Sequence, residues 1–210
     1  MPIFSNKDSK ILFIHIPKTG GTTVERVLNK YFEMSFHTIG KPASIKVTPQ
    51  HFQAHDIKLL FNGIDWDYSF SIVRDPYERL ISEYFYQTKI AKENFQSRPD
   101  FSMWVVNNLE RYKKNNFIFD NHLRPQYQFI DDDIEVFKLE NGLDVVLNKL
   151  LNKYGFNTLD REKIYYENKT HRDKDVDFSL EAIEIVNEVY HRDFELFGYK
   201  KKNKILQVNL

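Results

Sequence analysis

The sequence predicts an α/β domain with a small central parallel sheet flanked by helices. Two strand-to-helix junctions and a series of later helical segments predict it. Ile11 to Ile16 is an apolar, β-branched run that stops at Pro17, and an amphipathic segment follows Gly20-Gly21. Tyr68 to Val73 is a second, mostly apolar run, as a strand buried on both faces should be, and Arg74-Asp75-Pro76 ends it. Strand-helix units that alternate with extra helices are the pattern of a parallel sheet. Ligands of such sheets bind at the carboxyl ends of the strands.

The elements follow in order. After the first strand, Val24, Val27, Leu28 and Tyr31 fall at i, i+3, i+4 and i+7, one apolar face of a helix. Thr22-Thr23-Val24-Glu25 reads as a capping box, with the Thr22 hydroxyl on the N3 amide and Glu25 reaching back. Residues 34–50, with Gly40, Pro42 and Pro49, read as irregular. A short helix is expected over 51–62. The second junction opens a helix with Asp75 as N-cap, Pro76 at N1 and Glu78 at N3. Its apolar face carries Tyr77, Leu80, Ile81, Tyr84 and Phe85, and Glu78, Arg79, Ser82 and Tyr86 fall opposite. Helices are expected at 101–113, at 142–154 with Asn141 as cap and Gly155 as stop, and at 179–197. A short strand is expected around Ile134 to Leu139.

The length of 210 residues suits one domain spanning 1–210. Hydrophobic residues make up 41% and aromatics 15%, enough burial to offset chain entropy. Lys+Arg and Asp+Glu each number 30, so wholesale nucleic-acid binding has no support and any anion site must be local. The basic tail Lys200, Lys201, Lys202 and Lys204 reads as solvated. There are no cysteines, which removes disulfides, thiolate metal sites and cysteine nucleophiles and fits a reducing compartment. No segment approaches 18 consecutive apolar residues, and the first ten lack a signal-peptide core. A soluble, intracellular protein without stable membrane insertion is expected.

The first junction is where chemistry is expected. Lys18, Thr19, Gly20, Gly21, Thr22 and Thr23 join a strand to a helix N-terminus. Free backbone N–H groups, the positive end of the helix dipole and a lysine converge there on one point, suited to a phosphate or phosphosulfate. Gly20 and Gly21 let the backbone turn sharply and approach a ligand. The loop is not a Walker A motif, because its lysine precedes the glycines and no strand ends in an aspartate placed to hold Mg²⁺. The site is expected to take a metal-free donor. If the two strands are neighbours, Arg74 lies beside this loop, where its planar fork can grip a second phosphate.

His15-Ile16-Pro17-Lys18-Thr19-Gly20-Gly21-Thr22 resembles the 5′-phosphosulfate loop of the carbohydrate sulfotransferases, above all the heparan-sulfate-type (family 2) branch and its bacterial relatives. Ser71 to Tyr84, containing Arg74-Asp75-Pro76-Tyr77-Glu78-Arg79, resembles the 3′-phosphate strand and helix of the same family. Weaker likeness runs through His122-Leu123-Arg124-Pro125-Gln126 and Asp193 to Tyr199. The resemblance implies a single P-loop-like domain and 3′-phosphoadenosine 5′-phosphosulfate (PAPS) as donor, with the bisphosphate PAP as product and no metal. It implies that Lys18 to Thr23 hold the 5′-phosphosulfate and that Arg74 and Ser82 hold the 3′-phosphate. It implies a saccharide or glycolipid acceptor.

Sulfuryl transfer by analogy resembles loose in-line phosphoryl transfer, carried by positioning and charge stabilisation. Lys18 is then expected to stabilise charge on the bridging oxygen of the leaving bisphosphate. The acceptor hydroxyl needs a base, and histidine suits neutral pH. Family members carry a His followed three residues later by Ala at a helix start in this region, which His51 and Ala54 match, so His51 is the expected base and His55 the reserve. His51 and His55 also have metal-ligand spacing, but Phe52 stands where a zinc protease needs Glu and no third ligand is evident. His15 reads as structural, and His171 and Arg172 as lesser candidates for donor or acceptor contact. Tyr84, Phe85, Tyr86, Trp104 and Tyr127 are either a sugar-stacking floor or core, and Asp131-Asp132-Asp133 is a solvated turn. Two alternatives stay open: a Mg·ATP-dependent small-molecule kinase, and a non-catalytic module that binds PAPS or PAP. The expected setting is a bacterial cytoplasm.

Overall fold

The computed structural model describes residues 1–37, 40–41, 43–93, 99–157 and 176–203. A five-stranded sheet is flanked by helices. Its strands are β1 (Ile3–Ser5), β2 (Lys10–Ile14), β3 (Glu33–Ser35), β4 (Tyr68–Val73) and β5 (Glu135–Lys138), in the order β3-β1-β2-β4-β5. β2, β4 and β5 run parallel, with Phe13 opposite Phe70 and Val73 opposite Lys138. β1 and β3 pair antiparallel on the other side. The sheet is therefore mixed, not wholly parallel as the alternation predicted. β1 and β3 are three residues each, too short to leave a periodic signal, and β3 lies in the stretch expected to be irregular.

Side chains of β2 alternate between two cores, as period-2 geometry requires. Phe13 and Ile11 join Phe70 and Ile72 under α1 (Gly21–Leu28) and α5 (Leu143–Lys153), which add Val24, Val27, Leu28, Leu143, Leu147 and Leu150. Leu12 and Ile14 face the opposite way, packing with α2 (Ala54–Leu60) through Ala54 and Ile57. A third core is helical. In it α3 (Pro76–Glu93) meets α4 (Phe101–Lys114), α6 (Leu180–Val189) and α7 (His191–Phe197) through Leu80, Tyr84, Val105, Leu109, Val186 and Tyr190.

Several boundaries differ from expectation, each for a local reason. Gly20, at φ 88°, caps α1, and the Glu25 carboxylate turns inward to histidines instead of closing a capping box with Thr22. The segment expected as one helix over 51–62 divides into a 3-10 turn at Pro49–His51 and α2, whose own capping box joins Gln53 and Asp56. Gly142, not Asn141, caps α5 after a 3-10 turn at Leu139–Asn141. The last expected helix breaks at Tyr190, whose buried hydroxyl donates to the Leu123 carbonyl at 2.9 Å. That break aims the Asp193 carboxylate at the N–H groups of Gln126 and Tyr127, 2.8 and 2.9 Å away. The second junction forms as expected, with Asp75 Oδ1 accepting from the Tyr77 and Glu78 amides.

Candidate active site

The parallel register puts the carboxyl ends of β2 and β4 side by side, so the loops after Ile14 and Val73 meet. Arg74 Nη1 reaches the Lys18 carbonyl at 3.4 Å, across 56 residues of sequence. Between the strand and α1, Lys18 takes φ 69° and Gly20 φ 88°, a left-handed turn that a branched side chain would strain. At Gly21 the constraint is space: a Cβ there would lie 2.5 Å from His15 Nε2. The Thr19 hydroxyl is buried and donates to the Ile16 carbonyl at 2.8 Å, so it braces the loop. Thr22 lies exposed on the first turn, and Thr23 is buried.

Lys18 is mostly buried. Its Nζ lies 4.0 Å from the centre of the Tyr86 ring. Burial pushes the ammonium below its ordinary range, the Glu83 carboxylate opposes that, and the Arg74 charge adds to it. Arg74 also approaches Glu78 at 3.4 Å. Its main chain is gripped from both sides by the buried Gln126 side chain, at 2.9 Å to the N–H and 2.8 Å to the carbonyl. Ser82 follows Glu78 by one helical turn on the same side of α3 and is buried, where the helical pattern placed it on a polar face. Arg79 departs further from expectation: it is buried, with Nε on the Pro17 carbonyl at 3.0 Å and Nη2 on the His122 carbonyl at 2.7 Å. It ties the lysine loop to the turn that carries His122.

His51 comes to the same edge. Its Nδ1 lies 2.8 Å from Asp120 Oδ2, and Asp120 also accepts from the Thr48 backbone and hydroxyl. Burial pulls the His51 imidazole down to about 4; Asp120 opposes this, and the neighbouring His122 and His15 add to it. Burial pushes the Asp120 carboxyl up, but the bonds from His51 and Thr48 outweigh burial and hold it well below the ordinary carboxylate range. His51 is thus neutral near pH 7, with Nδ1–H donated to Asp120 and the Nε2 lone pair left for a proton. Asp120 sits at φ 57° between Phe119 at 49° and Asn121 at 67°, three left-handed residues in succession. Such strain persists where surrounding contacts over-determine it.

Two more imidazoles adjoin His51. His122 lies 4.8 Å from it, edge to face, and His15 5.5 Å away. His122 Nδ1 pairs with Glu83 at 2.7 Å, and His15 Nδ1 pairs with Glu25, which His37 also approaches at 3.1 Å. Glu83 is 1% exposed; burial pushes it up, but the His122 charge and hydrogen bond, Gln87 and Lys18 together hold it below the usual range. Asp120, Glu83, Arg79, Gln126 and His122 lay outside the expected site. Arg79 and Glu83 fell within the Ser71 to Tyr84 likeness and His122 and Gln126 within the weaker one, without a role for any of them, and nothing pointed at Asp120.

The remaining candidates separate cleanly. His55 is exposed on α2. His171 and Arg172 lie outside the described residues. Tyr84, Phe85 and Trp104 are core, whereas Tyr86 is 39% exposed and stands at the site. Asp131 and Asp133 pair with Lys58 at 2.9 and 2.7 Å. Among the described residues no group of three or more His, Asp or Glu side chains is placed to hold a metal ion, and no helix is long and apolar enough to cross a membrane.

Fold and site together define an α/β protein whose parallel strands present a lysine loop, an arginine and carboxylate-held histidines along one edge. The Sulfotransferase family model matches residues 1–200, and the chain belongs to that family, as a sulfotransferase family 2 member. It is a sulfotransferase, and its reaction in general terms is sulfuryl transfer to an acceptor substrate. No curated protein and no solved structure matches the chain.

Proposed function

We propose that residues 1–210 form one domain that moves a sulfuryl group from PAPS to a hydroxyl of a saccharide or glycolipid, as in the heparan-sulfate-type branch and its bacterial relatives. The observation that carries this is the convergence of Lys18, Arg74 and the His51–Asp120 pair on one edge of the sheet. The residues fit the donor. Backbone N–H groups of Lys18 to Thr23 and the Lys18 ammonium suit the phosphosulfate, and Arg74, with Ser82 a turn along α3, suits the 3′-phosphate. The donor supplies a sulfuryl group on a good leaving oxygen.

The chain's own residues account for the rest. His51 Nε2 takes the acceptor hydroxyl proton as that oxygen bonds to sulfur. Asp120 holds the ring in the tautomer that presents the Nε2 lone pair to that proton. As the bond from sulfur to the bridging oxygen breaks, the electron pair stays on that oxygen, where Lys18 and the α1 N-terminus stabilise it. Atoms and charge balance without metal.

The test is transfer of radiolabelled sulfate from PAPS to a saccharide panel in the presence of a chelator. Wild type should label at least one acceptor, and Lys18→Ala and His51→Ala should not, with circular dichroism unchanged. Binding of PAP with no transfer to any acceptor would favour a binding-only module, and dependence on ATP with Mg²⁺ would favour a kinase.

A further inference from the structure

His15, His51 and His122 stand in a row, and each is held through Nδ1 by its own carboxylate: Glu25, Asp120 and Glu83. Their surroundings separate their roles. His15 Nε2 points at Gly21 so closely that no side chain fits there, so this ring supports the loop. His51 has the open Nε2 lone pair described above. His122 is different because it spans the two halves of the site. One side of its ring meets His51, and its face stacks on Tyr86 at 5.7 Å and 28°. The Lys18 ammonium lies over that same Tyr86 ring.

Lys18 and His122 also share a counter-charge. Glu83 is fully buried, its Oε2 takes His122 Nδ1, and its Oε1 takes Gln87 Nε2 at 2.6 Å. A buried carboxylate needs compensation close by, and for Glu83 the His122 and Gln87 hydrogen bonds and the Lys18 ammonium supply it. Arg79 fixes the main chain here by bonding both the Pro17 and His122 carbonyls. Nδ1 is spent on Glu83, and Nε2 has no hydrogen-bond partner among the described residues.

We propose that His122 is a second catalytic imidazole: as the imidazolium, with Nδ1–H on Glu83, it donates Nε2–H to the transferring sulfuryl group between Lys18 and His51, and Glu83 is its positioning residue. The inference rests on the sulfotransferase reading above. His122 makes and breaks no covalent bond; the acceptor proton still goes to His51 and the electron pair to the bridging oxygen. Its N–H offsets negative charge on the sulfuryl oxygens as they pass from donor to acceptor.

Amide replacements separate this role from a structural one. In His122→Asn the amide overlies Nδ1, so the Glu83 bond and the fold are kept while the Nε2 donor is lost. In His122→Gln the amide reaches the Nε2 position. The probes are PAP and inorganic sulfate, which together occupy the two halves of the donor site without turnover. Calorimetry should give PAP affinities within about threefold for all three proteins. Sulfate binding to the PAP complex should weaken about tenfold or more in His122→Asn, as expected for a lost hydrogen bond to a charged group, and recover in part in His122→Gln. In wild type the His122 ring resonance, assigned through its contact with Tyr86, should shift on sulfate addition only when PAP is bound. That readout needs no variant and stands even if a substitution unfolds the chain. Equal sulfate affinity in wild type and His122→Asn, or an unmoved resonance, overturns the inference alone. Wild type that fails to bind PAP overturns the sulfotransferase reading and the inference with it.

Discussion

His51 Nδ1 and Asp120 Oδ2 lie 2.8 Å apart across 69 residues of sequence. The contact joins the 3-10 turn after Thr48 to a left-handed turn at Phe119–Asn121, and Thr48 closes it by donating to the same carboxylate. Two irregular segments on different sides of the site thereby fix one ring. The strain of that turn is local; the result is an imidazole with a defined tautomer beside the lysine loop.

Asp120→Asn should therefore damage catalysis more than folding. The amide can present its N–H to Nδ1 and favour the wrong tautomer. With the general base lost, single-turnover transfer should fall by about 10²–10⁴-fold, while PAP affinity measured by calorimetry stays within about threefold. Unchanged transfer would remove Asp120 from the mechanism.

The depressed His51 value sets a sign for stability against pH. The folded ring titrates near 4 and the unfolded one near 6.5, so the unfolded chain binds the proton first as pH falls. Above 6.5 the group contributes no pH dependence; as pH drops from 6.5 to 4 it makes stability drop as well. Urea unfolding at pH 7.5, 6 and 5 should give declining midpoints in wild type and a flatter profile in His51→Asn. Equal slopes would contradict the burial of a neutral ring.

Gly21→Ala should be costly at an otherwise ordinary first-turn position. The new Cβ would fall 2.5 Å from His15 Nε2, and His15 is pinned by Glu25. Overpacking of this kind costs about 1–3 kcal/mol, to be read from the urea midpoint. Thr22→Ala, exposed one residue on, should shift it little.

Arg74→Ala should distinguish the two ends of the donor. Loss of a charged hydrogen bond is worth about 1.5–3 kcal/mol, or roughly 10–100-fold in affinity for PAP. Affinity for adenosine 5′-monophosphate, which lacks the 3′-phosphate, should stay within about threefold. A parallel loss for both nucleotides would place Arg74 at the 5′ end instead.

The two β-α junctions were legible because their signals are local: an apolar run, a glycine pair, and an Asp-Pro helix start. The edge strands β1 and β3 were not, being too short for periodicity. The burial of Arg79, Ser82 and Glu83 escaped because the helical pattern of α3 marks one apolar face, while the helix is buried on a second side by the lysine loop and the His122 turn. Asp120 and Gln126 escaped for another reason. Their roles are long-range bonds to Thr48, His51 and Arg74, which no spacing near them encodes. Lys18 and His51 could be named as candidates from residue types and family likeness, whereas the roles of Glu83 and Asp120 beside them could not.

Radiolabelled sulfate transfer from PAPS in wild type and His51→Asn, at saturating donor, bears most directly on the claim that the Lys18 loop and the His51–Asp120 pair act as one site. Wild type should transfer label to a saccharide hydroxyl, and His51→Asn should bind PAP within about threefold of wild type while transferring about 10²-fold or more slowly. Near-wild-type transfer by His51→Asn would contradict it.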